Sequence, residues 1–122
     1  MNNPVCWFEI YVKDMKRAKT FYKKVFNLKF VKIQAPGIEM WGFPSDLSKC
    51  GCSGALVKMK GVNPEGISTI VYFSSKDCKV EEKRIVAAGG DIHKSKTSIG
   101  KYGFITLACD TEGNMFGIHS LK

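Results

Sequence analysis

The chain has 122 residues, 44% of them hydrophobic and 25% charged, which fits one compact domain with a core of its own. No stretch approaches the roughly 18 consecutive apolar residues of a membrane span, and MNNPVCWFEI lacks the basic segment and apolar run of a signal peptide. The charge of +8 comes from 19 Lys and Arg against 11 Asp and Glu, and no nucleic-acid motif accompanies it.

The elements can be read in chain order. CWFEIYV alternates with period two and predicts a strand over 5–12. Asp14 follows where a helix cap belongs, because its carboxylate can accept the free N–H groups of a first turn. Met15, Ala18, Phe21, Tyr22, Val25 and Phe26 then recur at helical spacing. Lys13, Lys16, Arg17, Lys19, Lys23 and Lys24 fall in the same stretch, where a solvated outer face accounts for them. Asn27 suits a left-handed stop. Strands are predicted at 28–34, 38–43 and, after the loop PSDLSKCGCSG, 54–60.

The second half repeats this order. A strand is predicted at 67–74, a cap at Asp77 and a helix over 78–88 with Val80, Ile85 and Ala88 facing inward. Gly89 and Gly90 stop it, and strands follow at 91–97, 102–109 and 114–120. Asp14 and Asp77 stand 63 positions apart, each after a strand and before a helix. The chain therefore reads as βαβββ twice: module one over 1–61, module two over 67–122, and VNPEG (62–66) as the joint. DTEGN (110–114) is read as a hairpin, with Asp110 at the first position of a tight turn and Gly113 at the last.

Five cysteines (Cys6, Cys50, Cys52, Cys78 and Cys109) are an odd number without framework spacing, so free thiols in the cytoplasm are expected. Cys50-Gly-Cys52 lacks the further ligands of a zinc site and is read as loop.

The stretch FEIYVKDMKRAKTFYKKVFNLKF (8–30), with AAGGDI (87–92) and DTEGN, resembles the vicinal oxygen chelate superfamily of glyoxalase I, bleomycin-resistance and extradiol-dioxygenase proteins. The likeness runs over essentially the whole chain. It implies an α+β fold in which two βαβββ modules form a curled mixed sheet, a cup with the helices outside. It also implies, in the metal-using members, four strand residues that ligate a divalent ion. Carried over by spacing, those positions fall on Trp7, on Lys58 (or Val57 if the register slips by one), on Ile70 and on Gly117. None of these is a suitable donor. We therefore expect no metal and no cofactor.

Strand alternation gives the facing of the candidate residues. If Trp7 points into the cup, Glu9 and Tyr11 do too, and Phe8, Ile10 and Val12 face the helix. Ile70, Tyr72, Met115, Gly117 and His119 point inward by the same rule, while the facing of Trp41 and Phe43 stays open. A carboxylate between two aromatic residues is costly to bury unless paired, and Lys58 is the candidate partner of Glu9. Glu9 reads either as one half of a structural ion pair, or as a general base or anchor for a cationic or hydroxyl-bearing ligand. An aromatic lining with few polar groups is also how a small-molecule site looks.

The resulting expectation is a glyoxalase/bleomycin-resistance-like protein that binds a small molecule of unassigned identity without a catalytic metal. Its ligand-binding candidates are Trp7, Glu9, Tyr11, Trp41, Lys58, Tyr72 and His119. A homodimer in the cytoplasm is expected, with neither membrane nor nucleic acid as partner. Two alternatives stay open. One is a metal-dependent lyase, isomerase or dioxygenase with displaced ligands. The other is an interaction protein that works through its basic surface.

Overall fold

The computed structural model describes residues 3–62 and 68–122; all but Val62 of the expected joint lies outside them. The element order is β1 (Val5–Tyr11), α1 (Met15–Phe26), β2 (Val31–Ile33), β3 (Ile38–Gly42), β4 (Ser53–Met59), β5 (Thr69–Ser74), α2 (Cys78–Ala87), β6 (Asp91–Ser98), a short 3-10 turn (Gly100–Tyr102), β7 (Phe104–Cys109) and β8 (Met115–Ser120). This is α+β, with βαβββ occurring twice.

The residues group into two compact units. The first is Trp7–Thr69. The second is Ile70–Lys122, to which Val5 and Cys6 at the start of β1 also belong. Strand order is the same in both: β1-β4-β3-β2 in one, β5-β8-β7-β6 in the other. In each unit the first and last strands run parallel and the remaining pairs antiparallel.

Both helices begin at the aspartates read as caps. Asp14, in extended backbone, accepts the Arg17 N–H at 3.0 Å, and Asp77 accepts that of Lys79 at 3.0 Å. Asn27 ends α1 at a φ of 51°, a left-handed conformation that asparagine tolerates. The strand expected over 28–34 shrinks to Val31–Ile33, the stretch that pairs with β3.

In the first unit, α1 packs on one face of the sheet. Phe43 is the hub there, with ring centroids 5.4 Å from Phe8, 5.7 Å from Tyr22 and 4.9 Å from Phe30. Leu56, from the centre of β4, is fully buried. Of the predicted apolar face of α1, Met15 is buried, whereas Phe21, Val25 and Phe26 are 58%, 54% and 62% exposed. Helical period identifies which side chains share a face, and among the described residues nothing covers this flank.

In the second unit the inner row of α2 differs from the one predicted. Cys78 and Glu82 are buried, Ile85 is half-buried, Ala88 is exposed and Val80 is 43% exposed. The i, i+4, i+7 row of this helix carries a carboxylate, which apolar periodicity cannot reveal. Glu82 is held by the Thr106 hydroxyl at 2.6 Å and the Lys96 N–H at 2.6 Å. The DTEGN hairpin forms around Asp110, whose carboxylate accepts the N–H groups of Glu112 (2.8 Å) and Asn114 (2.9 Å).

Candidate functional site

Period two and strand pairing together place every strand residue of the first unit on one of two faces. Phe8 and Ile10 point to α1, so Trp7, Glu9 and Tyr11 point away from it. Across β1, Glu9 pairs with Ala55 and Tyr11 with Val57; across β4, Val57 pairs with Met40. Ala55 and Val57 are buried, so Glu9 stands against a wall of hydrocarbon.

Glu9 is itself 9% exposed. Burying a carboxylate demands hydrogen-bond donors, and its own strand supplies two. The Trp7 indole Nε1–H donates to Oε2 at 3.3 Å, and the Tyr11 hydroxyl donates to Oε1 at 2.9 Å. Residues i−2, i and i+2 of a strand share a face, so a single strand aligns this Trp–Glu–Tyr triplet. Burial raises the Tyr11 phenol pKa far above its ordinary value, and the negative charge and hydrogen bond of Glu9 raise it further. Tyr11 therefore remains a proton donor throughout the neutral range.

Lys58 is not the partner of Glu9. It pairs across β4–β3 with Glu39, on the face turned to α1, and its charge helps to hold the Asp14 carboxyl below the usual range, after the larger effect of the Arg17 N–H. Trp41, whose facing the sequence leaves open, lies on that same α1 side. Its indole N–H donates to Glu39 Oε2 at 3.1 Å, and its ring lies under the Lys19 ammonium, 3.1 Å from the centroid, with Lys32 at 5.1 Å. Trp7, Glu9 and Tyr11 thus come together, while Lys58 and Trp41 occupy the opposite face.

Tyr72 and His119 belong to the second unit. They share the face opposite the one on which Thr106, Ile118 and Ser120 meet α2. Tyr72 is buried, and its ring lies directly on Gly117: a Cβ added there would sit 2.3 Å from two ring carbons. His119 Nε2 contacts the Tyr102 carbonyl.

An open depression of about 570 Å³ lies where β1 runs into α1, bordered by Tyr11, Val12, Lys13, Asp14, Arg17 and Phe21. It is shallow and its charges are mixed.

Residues 5–118 match the family model of the Glyoxalase/Bleomycin resistance protein/Dioxygenase superfamily. The chain belongs to this superfamily. No curated protein sequence matches it. Among solved structures it is similar to a hypothetical protein from Bacillus halodurans C-125 (TM-score 0.77, 12% identity, 100% of this chain and 96% of that one). Methylmalonyl-CoA epimerase from Mycobacterium tuberculosis is also similar (0.74, 13%, 98% and 88%). So is the Streptomyces coelicolor methylmalonyl-CoA epimerase in complex with 2-nitronate-propionyl-CoA (0.70, 13%, 96% and 96%). At these identities the likeness is one of fold.

Membership in this superfamily raises the question of a metal. On β4 the residue that faces the same way as Trp7 and Glu9 is Val57, so the positions to test are Trp7, Val57, Ile70 and Gly117. An indole offers only an N–H donor, valine and isoleucine offer hydrocarbon, and the space above Gly117 is filled by the Tyr72 ring. Among the described residues, no group of three or more His, Cys, Asp or Glu side chains is arranged to hold an ion. These residues do not fit a metal ion.

Proposed function

We propose that this superfamily member binds a small organic molecule against the sheet face that carries Trp7, Glu9 and Tyr11, and does so without a catalytic metal. The observation that carries the reading is Glu9, a buried carboxylate whose two oxygens are oriented by the neighbouring indole and phenol. A hydrocarbon wall with a few fixed polar groups is the usual composition of a small-molecule site. The epimerase solved with 2-nitronate-propionyl-CoA gives a precedent for an organic ligand on this fold.

Thermal-shift screening with a metabolite library, methylmalonyl-CoA included, and with divalent metals tests this. An organic ligand should stabilise the protein with or without EDTA, and Trp7→Ala should abolish the effect. Stabilisation by Zn²⁺, Ni²⁺ or Fe²⁺ alone would overturn the reading. It would favour the alternative, a metal-dependent lyase, isomerase or dioxygenase with displaced ligands, which draws its support from the epimerases among the fold neighbours.

The same proposal places the protein in the cytoplasm as a homodimer. Five free cysteines support the compartment, and among the described residues no helix is long and apolar enough to cross a membrane. The exposed Phe21, Val25 and Phe26 on α1 support self-association. Light scattering at the monomer mass would reject the dimer.

A further inference from the structure

The Trp41 indole is a meeting point of cations. Lys19, half-buried on the second turn of α1, sets its ammonium 3.1 Å from the ring centroid, and Lys32 on β2 sets its own at 5.1 Å. Those distances keep the two nitrogens within about 8 Å of each other. Lys58 joins the same side from β4, where it pairs with Glu39, and Lys16 and Lys23 adjoin Lys19 one helical turn to either side. Against these five lysines stand two carboxylates. Glu39 is aimed at the indole and accepts its N–H at 3.1 Å; Asp14 caps α1 and accepts the Arg17 N–H at 3.0 Å. Among the described residues, none of the five lysines closes an ion pair. The charge of this side is therefore positive even with both carboxylates counted in full.

We propose that the α1 side of the first unit carries a second binding site, for a dianionic phosphate, free or as a monoester, gripped between Lys19 and Lys32 beside Trp41. It is separate from the small-molecule reading above and stands without it. Two ammonium groups held this close repel each other, and the π-face of the indole offsets only part of that cost. An anion between them removes the repulsion and accepts a charge-assisted hydrogen bond from each. Two such bonds of about 2.8 Å, to different oxygens of one phosphate, span the separation. The indole also keeps water from one side of the Lys19 ammonium, so its charge is screened less than on an open surface. Two cations call for two negative charges, which a dianion supplies and a single carboxylate does not. Lys58, Lys16 and Lys23 raise the local potential further.

Titration of Trp7→Phe, in which Trp41 is the only tryptophan, tests this. Inorganic phosphate and phenyl phosphate at pH 8 are the probes, with sodium chloride at equal ionic strength as the control. Both probes should change Trp41 emission saturably, and the salt should not. Lys19→Met and Lys32→Met should each weaken binding at least about tenfold, the effect of losing one charge-assisted hydrogen bond. Lys83→Met, in the second unit, should leave it unchanged. Glu39→Gln should tighten it, because the amide still accepts the indole N–H and drops the nearest negative charge. Tighter binding of phenyl phosphate identifies a monoester as the ligand, and equal binding the free anion. If Trp7→Phe fails to fold, judged by circular dichroism, calorimetry on the native chain and its two lysine variants decides. A change that sodium chloride reproduces, or saturable binding that survives in both lysine variants, would overturn the site.

Discussion

Glu9 and Lys58 lie on adjacent strands and point to opposite faces of the sheet. Glu9 pairs with Ala55 and Lys58 with Glu39, so the ion pair that the sequence invites does not form. Glu9 instead accepts hydrogen bonds from the side chains two residues before and two residues after it, and the second of these ties its charge to Tyr11.

That tie is visible in alkali. Burial and then the Glu9 charge hold the Tyr11 phenol above its ordinary 10.0. A group whose folded-state pKa is raised contributes stability that is fully present below the unfolded value and lost as pH rises towards the folded one. Stability should therefore fall from about pH 10 upward, and Tyr11→Phe should fall less. In Glu9→Gln the Tyr11 midpoint should move back towards 10.0 without reaching it, because burial remains. Near-ultraviolet phenolate absorbance, with Tyr11→Phe as the subtraction, reads this directly. An unchanged midpoint in Glu9→Gln would show that the two side chains are uncoupled.

Gly117 is kept small by Tyr72. A methyl group there meets ring carbons at 2.3 Å, and the ring, only 5% exposed, has little room to retreat. Gly117→Ala should destabilise by about 1–3 kcal/mol in urea unfolding, the range for overpacking a filled site. In a Tyr72→Leu background the same change should cost less than half as much. Equal costs in both backgrounds would place the strain elsewhere.

The parts of the fold that local chemistry determines were legible in the sequence. Asp14, Asp77 and DTEGN each satisfy backbone groups within four residues of themselves, and alternation along one strand suffices to align Trp7, Glu9 and Tyr11. What depends on pairing between strands was not. The facing of Lys58 and Trp41 follows from where β4 and β3 register, which neither strand encodes alone. Glu82 is absent from the inward residues predicted for α2 because its partners, Lys96 and Thr106, stand 14 and 24 residues later.

Glu82 makes a second pH-dependent prediction. Burial pushes its carboxyl pKa up, but the Thr106 hydroxyl, the Lys96 N–H and Lys79 outweigh burial and hold it below the usual range. A depressed carboxyl contributes stability that is present above the unfolded value and lost as pH falls through the folded one. Glu82→Gln should therefore show a shallower loss of stability in acid. At neutral pH, Thr106→Val should cost about 1–3 kcal/mol, because it removes a donor from a buried charge. Acid and urea unfolding followed by circular dichroism measure both, and a neutral Thr106→Val would mean that the carboxylate is satisfied without it.

The two tryptophans lie on opposite faces, which gives the proposed site an optical test. Trp7 belongs to the Glu9 face; Trp41 is held on the α1 side by Glu39 and Lys19. A ligand on the Glu9 face should alter emission from Trp7 and leave Trp41 unaffected. The signal should persist in Trp41→Phe and vanish in Trp7→Phe, where binding itself should remain measurable by calorimetry. Trp7→Leu should weaken the ligand by about 2- to 10-fold, the range an aromatic contact contributes beyond its buried area. A ligand-induced change that survives in Trp7→Phe and disappears in Trp41→Phe would move the site to the helix side of the sheet, where Lys19, Lys32 and Lys58 favour an anion instead.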